Sequence, residues 1–405
     1  MTEQVVVVGA GQAGAALVAQ LRAEGFPGRI TLVGAEPDPP YQRPPLSKKY
    51  LLGALERERL YLKPARFYED EGIELVTGTS AAEIDRRRGR VVLSDGRALP
   101  YDRLALTTGA IPRRLPQDIG GALGGVHVVR TLSDVDGLAP EVAPGRRALV
   151  IGGGYIGLEA AAVLAERGLA TTLVELAPRI LNRVACAETA DAVRALHLAH
   201  GVTIREGTGL ARLDGADGQV REAVLADGER LPADLVIVGI GVLPDTGLAE
   251  TAGLAIDNGI AVDGLCRSSD PAIFAAGDCA SFPYEDRRIR LESVQNAIDQ
   301  AEHAARVMTG TEAAYAPCPW FWSDQYDARL QIAGLSAGHD RVVSRPGHRE
   351  SGASFWYFRG PRLIAVDALN DPKAYMQGKR WIERAFSPDP LALADPDRPL
   401  KALAS

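Results

Sequence analysis

Cysteine is scarce. The 405-residue chain has four, Cys186, Cys266, Cys279 and Cys318, with no C-x-x-C pair and none before position 186. Disulfide frameworks and zinc ribbons need closely spaced thiols, so these read as free or buried thiols of a cytoplasmic protein. Histidines are few and scattered. His197 and His200 lie three apart on an expected helix with no acid or cysteine cluster. They read as a surface helix face, and no metal site is expected. Positive charge is not in excess, and a formal net charge of −7 argues against nucleic acid as a partner. No apolar run approaches the ~20 residues of a membrane span, so no membrane contact is expected. The chain enters a strand directly, without a basic region before an apolar core, so no signal peptide is expected.

What is present begins at Val5. Val5, Val6, Val7 and Val8 form an uninterrupted apolar run, the pattern of a strand buried on both faces in a parallel sheet. Gly9, Gly11 and Gly14 follow as G-x-G-x-x-G, and 15–22 is rich in helix formers. In this arrangement Gly9 makes the tight turn, Gly11 lets a pyrophosphate approach the backbone, and Gly14 lets helix pack on strand. The helix N-terminus offers free N–H groups and a positive dipole end to phosphates. A second strand is read over 30–36, with the acid Glu36 near its end. The motif then recurs. Strand 148–151 leads into Gly152, Gly154 and Gly157, with Tyr155 and Ile156 in the variable slots, and strand 171–174 ends on Glu175. One such motif is weak evidence; two, each set between strand and helix, imply two dinucleotides.

Between and after these units the chain alternates order and punctuation. The paired prolines of Tyr41-Gln42-Arg43-Pro44-Pro45-Leu46-Ser47-Lys48 make a rigid loop, with Ser47 or a neighbour starting a helix. Short strands fill 73–105, with a hairpin turn at Ser94-Asp95-Gly96-Arg97. A buried strand over 104–110 carries Thr108 and Gly109 at its end, and 234–241, ending on Gly241, parallels it. Residues 111–145 are rich in proline and glycine and read as a crossover. Strands are expected near 202–205, 220–225 and 235–240. Strand 273–276 leads to Gly277 and Asp278, at the strand end where ligands of open α/β sheets bind. Glu292-Ser293-Val294 precedes a helix to about Met308. From about 314 aromatics concentrate in Trp320-Phe321-Trp322 and Phe355-Trp356-Tyr357-Phe358; Arg359-Gly360-Pro361-Arg362 joins two strands, and 375–386 reads as a helix.

The doubled fingerprint and the late Ala275-Ala276-Gly277-Asp278 block resemble the two-dinucleotide flavoprotein reductases, the glutathione-reductase-like superfamily. More narrowly, Arg43 to Lys48, Gly152 to Glu159, Ala275 to Ala280, Glu292-Ser293-Val294 and Trp320-Phe321-Trp322-Ser323-Asp324-Gln325 resemble the NADH-dependent ferredoxin reductases, essentially end to end. The resemblance implies an α/β fold: two Rossmann-like domains for FAD and NAD plus a C-terminal α+β domain. The FAD domain is expected at 1–110 and 245–313, the NADH domain at 111–244 and the C-terminal domain at 314–405. It implies that Ala13 lies at the FAD pyrophosphate turn, that Arg43 and Lys48 approach the FAD, and that Ala81 and Arg130 line the adenine side and the crossover. It further implies that Asp278 accepts a hydrogen bond from the ribityl chain and that Val294 meets the flavin pyrimidine ring. The family often places an acid at position 35, where this chain has Ala35 followed by Glu36, so either position is the expected ribose contact.

The same resemblance implies a chemistry. A flavin accepts two electrons together and releases them singly. The helix opening at Val294 would aim its positive end at charge developing on the ring. Lys48 and Glu159 would meet beside the flavin; without the resemblance they read as unrelated surface charges. Tyr155 would shield the ring, and Glu175 would hold the adenosine ribose and repel a 2′-phosphate. Trp320 and Trp322 read either as core or as an edge where ferredoxin docks, beside the cations Arg329, Lys373, Lys379 and Arg380. The expected function is transfer of hydride from NADH to FAD, then of single electrons to a 2Fe–2S ferredoxin. That ferredoxin would serve a haem-thiolate monooxygenase or a Rieske dioxygenase. Rubredoxin or quinone reduction, or a redox-responsive partner-binding flavoprotein, are the alternatives. Disulfide reductases of the superfamily place a cysteine pair just before the segment that here reads Leu46-Ser47-Lys48, and related peroxidases a single cysteine. Neither is present, so no thiol relay is expected.

Overall fold

The valine run sits at the centre of its sheet. Strand Gln4–Val8 lies between Arg29–Val33 and Arg103–Leu106 in a five-stranded parallel sheet. Ile73–Val76 and Ile273–Ala275 form its edges. Val5 and Val7 join one apolar core with Leu17, Val18 and Leu21 of helix Gln12–Ala23 and with Ala301 and Ala304 of helix Val294–Met308. Val6 and Val8 join a second core on the opposite face, with Val91, Leu93 and Phe282. Successive strand residues point to opposite faces, so a run apolar at every position is what a sheet covered on both sides requires. Each such valine contributes about 1.5–3 kcal/mol of burial free energy.

The computed structural model describes residues 3–347 and 351–404. They form two compact units. The first takes in the chain up to Gln42, Glu56–Ile111 and Val242–Pro317, and the second takes Arg43–Leu55, Pro112–Gly241 and the chain from Cys318 on. The first contains the sheet just described and a three-stranded antiparallel sheet, Ala81–Asp85, Arg90–Leu93 and Ala98–Pro100. The second repeats this plan. Its parallel sheet runs Thr203–Glu206, Ala170–Glu175, Arg147–Ile151, Leu235–Val238, Val126–His127, and its antiparallel sheet is Leu210–Ala216, Gln219–Leu225, Arg230–Pro232. The second unit also carries a five-stranded antiparallel sheet, in the order Trp320–Gln325, Ala328–Gly334, Arg362–Leu369, Ala353–Arg359, Arg341–Pro346. Helix Pro372–Glu383 covers one face of that sheet, burying Trp356 against Trp381. The expected nucleotide body at 111–244 and α+β body at 314–405 thus share one unit, which also takes in residues 43–55. The outermost expected bounds, 1 and 405, lie outside the described residues.

Several elements depart from the sequence reading, each for a local reason. The crossover at 111–145 contains strand Val126–His127 and helix Leu132–Leu138. That helix starts from a capping box: the Asp134 amide donates to Thr131 Oγ1 at 3.1 Å and the Thr131 amide to Asp134 Oδ2 at 2.8 Å. The strand expected over 104–110 ends at Leu106, and just beyond it the Thr107 hydroxyl donates to the Gly9 carbonyl at 2.8 Å. The helix expected over 375–386 runs Pro372–Glu383, starting three residues early where Asp371 caps it by accepting from the Ala374 amide at 3.1 Å. Ser47 ends a short 3-10 turn, Pro44–Ser47, and starts no helix. His197 is not on a surface face: it is fully buried against the antiparallel sheet, its Nε2 2.8 Å from Gln325 Oε1.

Candidate functional site

In both fingerprints two of the three glycines answer to backbone packing. Gly9 has φ +111°, and a Cβ there would lie 2.2 Å from the Thr107 carbonyl oxygen; a Cβ on Gly14 would lie 2.1 Å from the Gly9 carbonyl oxygen. Gly152 and Gly157 repeat this at 2.3 Å and 2.0 Å from the carbonyl oxygens of Gly239 and Gly152. The middle glycines differ. Nothing lies within 4 Å of a Cβ built on Gly11 or on Gly154. Each of these opens a helix N-terminus, Gln12–Ala23 and Tyr155–Glu166, with no side chain capping it. Orphan amides, a dipole end and an open backbone approach are what a pyrophosphate uses. Both cradles therefore fit dinucleotide phosphates.

Within the first unit the strand ends gather around the first cradle. Gly277 follows strand Ile273–Ala275, and a Cβ there would meet Ala13 Cβ at 3.1 Å. The Gly277 amide donates to Gln300 Oε1 at 2.9 Å, which ties this turn to helix Val294–Met308. Ser293 caps that helix by accepting from the Asn296 amide at 3.1 Å, so Val294 stands in its first turn. Asp278 is half-buried, and its carbonyl accepts from Arg290 Nη1 at 3.1 Å. Thr108 donates to the Asp245 carbonyl at 2.6 Å, and Gly109 accepts from the Asp245 amide at 2.9 Å. Ala35 is exposed beyond strand Arg29–Val33; Glu36 is half-buried and accepts from the Tyr41 hydroxyl. Ala81, half-buried, opens the antiparallel sheet opposite Leu93.

The second cradle holds its own acid. Glu175 ends strand Ala170–Glu175 and accepts from the Gly153 amide at 2.6 Å and the Ala177 amide at 2.7 Å, one carboxylate oxygen each. Ile156 is exposed at the helix start, and Gly241, at φ +97°, follows the turn after strand Leu235–Val238. Tyr155 is turned onto Phe321, with ring centroids 4.7 Å apart. In the Arg43–Leu55 segment, Arg43 donates to the Arg130 carbonyl at 2.6 Å.

Lys48 and Glu159 meet. Lys48 Nζ lies 2.6 Å from Glu159 Oε2, with the carboxylate side chain 2% exposed and the lysine side chain 17%. Ser47 donates to the same oxygen at 2.8 Å, and Ser323 donates to Oε1 at 2.8 Å. Burial pushes the Glu159 carboxyl up from its ordinary range, and Lys48 and the two hydroxyls oppose this. The pair is thus an internal ion pair and not a set of solvated charges. The alternation of strand Trp320–Gln325 completes it: Phe321, Ser323 and Gln325 face Tyr155, Glu159 and His197. Trp320 and Trp322 share the other face, both half-buried with centroids 5.8 Å apart. Trp320 also packs on Tyr375 and under Lys379 Nζ, 5.2 Å from its ring. Lys373 and Arg380 are exposed, whereas Arg329 pairs with Asp324 at 3.7 Å and Lys379 with Glu383 at 3.8 Å.

Residues 3–301 match the pyridine nucleotide-disulphide oxidoreductase family, and 320–404 match the reductase C-terminal domain. The chain belongs to this oxidoreductase family. It is 45% identical to a ferredoxin–NAD(P)(+) reductase of a Sphingomonas species, over 98% of this chain and 96% of the relative. It is 43% identical to putidaredoxin reductase of Pseudomonas putida, over 99% and 96%. In the crystal structure of the covalent putidaredoxin reductase–putidaredoxin complex, a chain 42% identical superposes with a TM-score of 0.96, over 99% of this chain and 98% of that one. The family and these ferredoxin-reductase relatives use FAD and a nicotinamide nucleotide.

The disulphide of the family's name has no counterpart here. All four cysteines are free, three of them buried. Burial raises every one of the four thiols, Cys318 to about 11, so none is poised as a thiolate. No group of three or more metal-ligating side chains gathers among the described residues, and no helix there is long and apolar enough to cross a membrane. The sequence did not show Ser47 and Ser323 as partners of Glu159, nor Gln325 and His197 in line behind Ser323. The period-2 alternation of 321, 323 and 325 was the available signal, but its partners lie more than a hundred residues away.

Proposed function

We propose that the chain is an NADH-dependent, FAD-containing reductase of a 2Fe–2S ferredoxin that serves a haem-thiolate monooxygenase or a Rieske dioxygenase. The observation that carries this reading is the pair of cradles, each with a middle glycine open to a pyrophosphate. The first would hold FAD through Gly9, Gly11, Ala13, Gly14, Thr108, Gly109, Gly277 and Asp278, with Ala35 or Glu36 at the ribose, Ala81 on the adenine side and Val294 at the ring. Arg43, Lys48 and Arg130 belong to the same set. The second would hold NADH through Gly152, Gly154, Ile156, Gly157, Glu175 and Gly241. FAD, when bound, would take a hydride and release electrons one at a time. The chain's residues bind, orient and exclude water. Glu175 would select the unphosphorylated ribose, Lys48 and Glu159 would position the reacting groups, and Tyr155 would shield them.

The FAD domain is read as 1–110 with 245–313, the NADH domain as 111–244, and the C-terminal domain as 314–405. A cytoplasmic setting belongs to the same reading, supported by the four free thiols. The acceptor is read as a ferredoxin because the relatives at 45% and 41% identity over nearly the whole chain include ones named as ferredoxin reductases, whereas the rubredoxin reductase among the relatives is 37% identical, and because no thiol pair lies near Lys48. Trp320 and Trp322 offer the aromatic anchors such a partner uses. The test has two parts. The purified protein should be yellow and release FAD on denaturation; FMN, or no flavin, overturns the reading. NADH should drive fast reduction of a 2Fe–2S ferredoxin, weakening as salt rises, with background rates on glutathione disulfide, lipoamide, peroxide and rubredoxin. Fast turnover of any of these with a sluggish ferredoxin replaces the acceptor.

A further inference from the structure

Glu159 is the end of a chain of hydrogen bonds whose polarity is fixed link by link. Lys48 and Ser47 donate to Oε2, and with the Lys48 ammonium 2.6 Å away the group is taken as the carboxylate, against the burial that raises it. Ser323 has one hydroxyl proton and lies 2.8 Å from Glu159 Oε1, an acceptor, so it donates there. It must then accept from its other neighbour, and Gln325 Nε2 lies 3.1 Å away. With its amide nitrogen committed, Gln325 turns Oε1 to His197, 2.8 Å from Nε2. That oxygen only accepts, so His197 carries its proton on Nε2, and Nδ1 is left to accept from the Tyr326 hydroxyl at 3.3 Å. Tyr326 occupies the hairpin tip at φ +54°, a conformation that side-chain-bearing residues seldom adopt, with its ring stacked on His200 at 3.7 Å. Helix Ala187–Ala199 supplies His197, strand Trp320–Gln325 supplies Ser323 and Gln325, and helix Tyr155–Glu166 supplies Glu159.

We propose that His197 is a remote positioning residue for Glu159: through Gln325 and Ser323 it points a continuous run of donors at the carboxylate, holding it ionised and in place against Lys48. A buried carboxylate is costly unless its lone pairs are met by donors, and dipoles aligned head to tail reinforce one another in a low-dielectric interior. Burial also lowers the His197 imidazole from its ordinary value, which keeps it neutral and its Nδ1 free to accept. Ser323 and Gln325 are themselves fully buried, so neither exchanges its partner for solvent. The functional meaning of this hydrogen-bond chain rests on the proposed placing of Lys48 and Glu159 beside the flavin, whereas its polarity does not.

Nitrogen-15 NMR of the holoprotein should show His197 neutral near pH 7, protonated on Nε2 and bare on Nδ1. The opposite tautomer, or an imidazolium, overturns the proposal whatever any variant does. Infrared titration then reads Glu159 directly, its carboxyl band assigned by loss in Glu159→Gln. His197→Leu removes the donor and keeps bulk, whereas His197→Gln can return an N–H near the same place. The Glu159 midpoint should rise by about half a pH unit or more in His197→Leu, the equivalent of losing most of one hydrogen bond. It should return towards the wild-type value in His197→Gln. Equal shifts in both variants, or none in His197→Leu, would reduce His197 to packing. A failed ferredoxin assay with an intact tautomer and midpoint shift would overturn the functional reading and leave the chain standing.

Discussion

At the scale of single residues, the proposed reading gives Lys48 a part in chemistry and Glu175 a part in binding, and the two can be separated. Lys48 is bound to Glu159 and to the Pro44 carbonyl, and no phosphate-cradling glycine depends on it. Lys48→Ala should therefore retain FAD while slowing flavin reduction at saturating NADH, on the order of 10–100-fold, the usual cost of a misplaced reacting group. Stopped-flow absorbance decides it, and a wild-type rate would remove Lys48 from the reaction. Glu175 already meets two amides, yet each carboxylate oxygen keeps a second lone pair for a ribose hydroxyl. Glu175→Ala should shrink the preference for NADH over NADPH in kcat/KM by roughly tenfold, equivalent to about 1.4 kcal/mol. An unchanged ratio would place selection elsewhere. Neither the two amides nor the environment of Glu159 was legible in the sequence. A carboxylate's partners are set by tertiary placement, and Ser323 lies 164 positions from Glu159.

At the scale of elements, the fingerprints divide their glycines in a way that can be measured. Gly157→Ala would force a Cβ to 2.0 Å from the Gly152 carbonyl oxygen, between backbone groups with little room to move. A loss of about 1–3 kcal/mol is expected, as for other overpacked cores. Gly154→Ala meets no atom within 4 Å and should leave stability within about 0.5 kcal/mol, while weakening nucleotide binding. Denaturation and NADH titration of the two variants should give opposite profiles; similar profiles would refute the division. This part of the site was readable beforehand because a strand, a turn and a helix are local, and periodicity and glycine placement encode them. Strand Val126–His127 was not readable. It has only two residues, and its sheet position comes from pairing with Val236 and Ile237.

At the scale of the whole molecule, the repeated α/β plan was visible in the sequence. The joining of the α+β sheet to the second nucleotide fold was not. It rests on contacts such as Thr189 donating to Asp367 at 2.8 Å across 178 positions. Asp367 is fully buried, also accepts from Tyr357, and is raised by burial to about 6, with Tyr357 and Thr189 opposing. The folded state thus holds this proton more tightly than the unfolded chain does. Between about pH 4 and pH 6 this group makes stability rise as pH falls, by on the order of 3 kcal/mol in all. All four tryptophans, Trp320, Trp322, Trp356 and Trp381, lie in the C-terminal body, so fluorescence-detected urea unfolding follows it. Asp367→Asn should flatten the profile in that window; an unaltered slope would assign the proton elsewhere.

The first sheet has a consequence for how the protein is made. Its strand Ile273–Ala275 and its covering helix Val294–Met308 are encoded after the whole of Pro112–Gly241. When Arg103–Leu106 leaves the ribosome, Val5, Val7, Leu17 and Leu21 still lack Ala301 and Ala304, and at about 5–20 residues per second they wait roughly 10–40 s. The central stretch meanwhile has all five strands of its own parallel sheet between positions 126 and 238. The segment encoded inside the gene is thus free to fold before the N-terminal segment can. On stalled nascent chains, protease resistance of the N-terminal strand should appear only after Met308 has emerged, which makes that interval the one in which a chaperone has most to shield.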